Sequence, residues 1–140
     1  QILGVDAAMA ARPVGIAYAV TQTLAALPAY AARRQLYLPT ELLDRHGVDA
    51  VDVFARRSSP ALNQAAADLR RLARGHLAAA ANKLRALPKQ ALPAFLPIAP
   101  LRGSLDRLDR SDVFSPKALS PWRRQWLIWR AARNPDRLAG

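Results

Sequence analysis

The chain has 140 residues, enough for one domain with a moderate core, and its hydrophobic half is rich in Ala and poor in β-branched residues, which favours helices. Against 10 Asp+Glu stand 21 Lys+Arg, a net charge of +11 that calls for an anionic partner: nucleic acid, a lipid surface or a diphosphate. With no Cys and with two His 30 positions apart, the sequence excludes disulfides, thiolate nucleophiles and Cys-based zinc sites, and it argues against a His-based metal centre.

Residues 1–5 read as the tail of an earlier helix, with Gly4 a stop and Asp6 a new cap. A helix is predicted over 13–27, where Ala17, Val20, Leu24 and Leu27 share a face and Pro13 suits the first turn. Gly15, Ala19 and Ala26 make a small-residue strip on it. Pro28 is expected to end this helix, leaving 29–38 as a basic loop. Within that loop, Arg33 and Arg34 followed by Tyr37-Leu38-Pro39 suit closure over an anion. Guanidinium forks match phosphate oxygens, and a tyrosine covers the apolar part of a ligand. A solvated basic turn is the plainer alternative.

Pro39, Thr40 and Glu41 predict a capped entry into a short helix that stops at His46-Gly47. Another turn follows over 49–54, with Val51 and Phe54 facing inward. Ser59 as cap and Pro60 as first residue open the longest helix, to about Leu87. Its apolar stripe takes in Leu62, Leu69, Leu72, His76, Leu77, Ala80, Leu84 and Leu87, and Arg70, Arg71, Arg74 and Arg85 take the other side. His76 reads as a hydrogen-bonded core histidine. Pro93, Pro97 and Pro100 predict a short helix through Leu96, a turn, and a second helix to Arg110. The loop 111–120 should lay Phe114 and Pro116 on the body. Asp106, Asp109 and Asp112, among Arg102, Arg107 and Arg110, predict ion pairs within that helix. A last helix over 121–133, capped by Ser120, carries Trp122, Trp126 and Trp129 on one face flanked by Arg123 and Arg130. That face reads either as a membrane or partner surface or as core. Residues 134–140 are expected to fray.

No Gly-rich phosphate loop, G-x-S-x-G elbow or H-E-x-x-H pair is present, and no RRM, KH or zinc-finger pattern supports specific nucleic-acid reading. No apolar run is expected to span a membrane, and no signal peptide is legible. The start on Gln1 reads as that of a fragment or processed chain.

The order of several segments resembles the second half of the squalene/phytoene synthase family. They are Gly15-Ile16-Ala17 through Leu24, Arg33-Arg34, Tyr37-Leu38-Pro39, Glu41-Leu42-Leu43, His46-Gly47, Pro93 to Pro97 and Trp122-Arg123-Arg124-Gln125-Trp126. The last two are similar to a degenerate branch of that family that serves mitochondrial complex I assembly. The resemblance implies the C-terminal portion of an all-α, isoprenoid-synthase-like bundle, over residues 1–140, with an N-terminal half outside this sequence. It also implies a D-x-x-x-D motif for Mg²⁺ seven residues before Tyr37, but Ala26 and Tyr30 stand at its two positions. Neither offers the hard oxygen ligands Mg²⁺ requires. The expectation is a non-catalytic member with no catalytic residues and no cofactor. It would bind an isoprenoid diphosphate or anionic lipid through Arg33, Arg34 and Tyr37, or assist assembly of a membrane complex. Expected partners include a membrane surface, a protein or a second copy, and the expected place is cytoplasmic, peripheral on a bacterial inner membrane. The alternative is a head-to-head prenyl diphosphate synthase whose Mg²⁺ site lies in the other half.

Overall fold

Described over residues 2–138, the computed structural model holds helices and no strand among those residues, so the chain is all-α. The first helix, α1, runs Ile2–Ala32 straight through Pro13 and Pro28. Gly4 is not a stop, Asp6 is not a cap, and neither proline is a boundary. A helix-interior proline costs about 3 kcal/mol, but packing can outweigh it. Here Ala10, Pro13, Ala17, Thr21, Leu24, Leu27 and Ala31 form one buried stripe that passes Pro28 and uses Pro13 itself. Breaking the helix would split that stripe. The Thr21 hydroxyl is satisfied inside it, donating to the Ala17 carbonyl at 2.7 Å. Continuity also changes the membrane expectation. By length and composition alone, Asp6–Ala32 is apolar enough to cross a bilayer, and in this fold it is buried only along the one stripe that packs into the two core clusters.

The principal partner of α1 is the long helix, which is fourth in the chain (α4, Pro60–Arg85) and antiparallel to α1. Ser59 caps it as predicted, its hydroxyl accepting from the Leu62 amide at 3.1 Å. The buried stripe is Leu62, Ala65, Ala66, Leu69, Ala73, Leu77, Ala80, Ala81 and Leu84. It is centred on alanines, so Leu72 falls outside it and is exposed, contrary to expectation. His76 is half-buried at the stripe's edge and lines a groove beside Met9 and Arg12.

Two core clusters sit along this helix pair. In one, the C-terminal half of α1 and the start of α4 hold α2 (Thr40–His46) and α3 (Ala50–Phe54) through Leu42, Leu43 and Val53. Thr40 does not cap α2, because the capping position falls on Pro39, which has no side-chain donor or acceptor. Asp49 caps α3 by accepting from the Val51 amide, and this register turns Val53 inward and leaves Val51 exposed. The other cluster joins the N-terminal half of α1 and the end of α4 to a 3-10 segment, Leu92–Ile98, and to α5 (Leu101–Asp109). This is the proline-broken pair the spacing predicts. Phe114 and Pro116 are half-buried as expected. The last long helix, α6 (Pro121–Arg133), is capped by Ser120 as predicted and is followed by a 3-10 turn, Pro135–Leu138. Leu138 is buried, so the tail expected to fray is folded that far, and residues 139–140 lie outside the described ones.

Candidate anion-binding site

The basic loop begins where α1 ends. Arg34 takes a left-handed conformation (φ 55°), so its amide reaches the Ala31 carbonyl at 3.0 Å and the Gln35 amide reaches back to Tyr30 at 2.9 Å. This pair of bonds is the Schellman helix ending, in which the left-handed place normally belongs to glycine. Gly47 (φ 65°) occupies that place after α2, with the matching bonds from Gly47 to Asp44 and from Val48 to Leu43. An arginine there is strained by roughly 1 kcal/mol. The reversal holds the Arg33 and Arg34 side chains exposed at the helix end, with no acidic partner among the described residues.

The reversal also folds Tyr37 back onto α1. Its ring meets that of Tyr30 edge to face, with centroids 4.6 Å apart and planes at 66°. Such a pair contributes about 0.5–1.5 kcal/mol beyond the area it covers. The place where the resemblance puts a metal-binding aspartate is therefore occupied by an aromatic contact that seats Tyr37. Ala26 lies one turn earlier on α1, half-buried. Leu38, 5 % exposed, pins the far side of the loop into the α2–α3 cluster. Two exposed guanidiniums and an exposed phenol on a fixed turn can hold a phosphate or diphosphate from one side. Among the described residues no three His, Cys, Asp or Glu side chains converge as a metal site would require.

Other charged groups are spent inside the fold. Arg70 donates to Asp109 at 2.6 Å, and Arg74 reaches Asp106 at 3.0 Å and also bonds Asp109. These pairs tie α4 to α5, whereas the sequence predicts pairing within one helix. Residues 32 to 39 apart carry no local periodic signal, so spacing alone does not reveal them. Burial alone would raise the Asp109 carboxyl, but the Arg74 and Arg70 guanidiniums outweigh it and hold it below 3.8. Burial alone would lower Arg74, and here too its two carboxylate partners win and raise it. His46 Nε2 lies 2.8 Å from Asp68, which also accepts from Arg71 at 2.8 Å. The hydrogen bond with His46 is the main reason the Asp68 carboxyl is lowered. Among the described residues no hydroxyl nucleophile is bonded to that histidine, and the contact joins α2 to α4.

A crevice of about 650 Å³, counting space open to solvent, is missing from the sequence-based expectations. Tyr18, Gln22 and Ala25 of α1 form one wall, Pro97, Leu101 and Ser104 a second, and Lys117 and Arg124 the rim. Tyr18 and Gln22, one turn apart and polar in an apolar helix, were the available signal. The Trp helix lies on the other cluster from the basic loop: α6 packs on the two 3-10 segments, and Ala131 is its buried residue. Trp122, Trp126 and Trp129 are 85 %, 48 % and 52 % exposed, which corrects the core reading, and Arg123 and Arg130 are exposed beside them.

Comparison with known proteins gives these features a context. The family model for squalene/phytoene synthase matches residues 1–130. NADH dehydrogenase (ubiquinone) complex I, assembly factor 6, of Mus musculus is 32 % identical over 121 residues, covering 83 % of this chain and 36 % of that protein. The Homo sapiens protein of the same name is 31 % identical with the same coverage. The chain thus spans about a third of the length of these relatives. No solved structure matches it.

Proposed function

This chain belongs to the squalene/phytoene synthase family, and we propose that it serves there without prenyl transfer, holding an isoprenoid diphosphate or an anionic lipid headgroup at Arg33, Arg34 and Tyr37. The observation that carries this reading is the Tyr30–Tyr37 contact. It uses a metal-ligand position of the family to seat a ligand-facing aromatic, with Ala26 in place of the other carboxylate. Ionising an allylic diphosphate requires the charge on the departing group to be neutralised as it leaves, and bound metal ions do that in fixed geometry. Two arginines on one side of a turn bind such a charge and leave the opposite side open.

Relatives named as complex I assembly factors support a role in building a membrane complex rather than in turnover, and we extend that role to this chain as part of the proposal. In the same proposal the helices described are the C-terminal part of the family's bundle. The protein acts at the cytoplasmic face of a membrane and needs no cofactor.

The test is incubation with labelled farnesyl or geranylgeranyl diphosphate and Mg²⁺. The native chain and an Ala26→Asp/Tyr30→Asp variant are both expected to yield no squalene- or phytoene-like product. Product from the native chain above a no-protein control would overturn the proposal in favour of a head-to-head synthase.

A further inference from the structure

We propose that α6 docks the protein on an anionic bilayer, lying in the plane of the headgroups with its tryptophans inserted. The inference does not depend on the basic loop, and it starts from the direction in which the indoles point. At about 100° per residue, Trp122, Trp126, Trp129 and Arg133 fall within about 60° of one another. Ala131 is on the opposite side, where it is 4 % exposed and buried against the body. Half-buried Leu127 and Ile128 flank Ala131, so α6 docks to the core by its small and aliphatic residues and turns its largest apolar groups outward. Nothing in the packing of the core accounts for three exposed indoles in a row.

The occupant follows from the chemistry around that row. Arg123, Arg130 and Arg133 stand in or beside the row, and the helix carries no acidic residue. The guanidinium of Arg130 stacks on Trp126 and that of Arg133 on Trp129, each 4.9 Å from the ring centroid. Both charges are therefore held at the level of the rings, where a headgroup layer places phosphates beside indoles. The indoles stand on a convex helix about 10 Å from first to last, at one depth, as insertion into a plane requires. Tryptophan and arginine are also common at protein interfaces, and such a partner is the competing outcome.

The chain's three tryptophans all lie on this helix, so intrinsic fluorescence reads this surface alone. The full chain is titrated with vesicles of phosphatidylcholine, and with vesicles that also contain phosphatidylglycerol. The mixed vesicles should shift the emission to shorter wavelength and allow quenching by lipids brominated near the headgroup, and added salt should weaken both effects. In cosedimentation, Arg123→Gln/Arg130→Gln should partition roughly tenfold to thirtyfold more weakly. Trp122→Ala/Trp126→Ala should lose most binding with unchanged helical circular dichroism, and Arg71→Gln, on α4 and paired with Asp68, should keep the emission shift. No shift with the mixed vesicles would overturn the proposal. A shift that grows with protein concentration in the absence of lipid would also overturn it, assigning the face to a second copy.

Discussion

The arginines of this chain fall into two populations that its net charge does not distinguish. Arg70 and Arg74 on α4 are matched by Asp109 and Asp106 on α5, and Arg71 is matched by Asp68. Among the described residues, Arg33 and Arg34 at the end of α1, and the arginines beside the Trp row, lack such matches, although all are the same residue type. Arg70 and Arg74 join α4 to α5, and Arg71 is paired within α4. The second stands on exposed turns and faces, where a guanidinium can meet an external anion without first leaving a carboxylate. Net charge therefore overstates what is available for binding.

The largest stability effect should come from taking the anchor away from the paired group. Asp109→Ala leaves Arg70, whose side chain is 15 % exposed, without its carboxylate. We expect a loss of about 1–2 kcal/mol in urea unfolding, at the lower part of the range for a stranded partner because the Asp109 carboxylate is 43 % exposed. Anion binding should be unchanged. A variant that unfolds normally but binds less would dissolve the division between the two groups.

A smaller effect is expected from acid. The Asp109 and Asp68 carboxyls are both held below 3.8 in the fold, so their contribution is complete above the unfolded value and is lost as pH falls through and below it. Stability should therefore fall below about pH 4, and Asp109→Asn should flatten that fall. An unaltered pH profile in the variant would mean that the α4–α5 pair does not hold in solution.

The smallest effect has the opposite sign. Arg34 sits at φ 55° where glycine is usual, so Arg34→Gly should raise stability by about 0.5–1 kcal/mol while weakening anion binding. A gain in both would place the strain and the ligand contact on different residues.

How much of this was legible in the sequence depended on the range of the interaction that decides each feature. Ser59-Pro60 and Ser120-Pro121 marked their helix starts because the cap is a contact three residues long. Gly47 marked the end of α2 for a similar reason. The end of α1 was misplaced because Pro28 is a strong local signal and its override comes from α4, remote in sequence. The same turn that Gly47 announces is built at Arg34 without glycine, so the fold-back of Tyr37 onto Tyr30 left no trace in the pattern. Of the candidate site, the residues could be named from their order along the chain, but their seating could not. The Trp row was legible as a face. Its outward direction was not, because the residue that sets it is a lone alanine, Ala131.

The division between paired and unpaired arginines is tested most directly by titrating pyrophosphate, and then farnesyl diphosphate, against two neutralised variants whose folds are checked by unfolding. Arg33→Gln/Arg34→Gln should weaken binding by tenfold or more, as expected when two charge-assisted contacts of about 1 kcal/mol or greater are removed, with little change in stability. Arg71→Gln/Arg74→Gln should leave the affinity within about twofold and lower stability instead. Equal losses of affinity from the two variants would contradict the account and reduce the basic loop to one contributor to a general positive field.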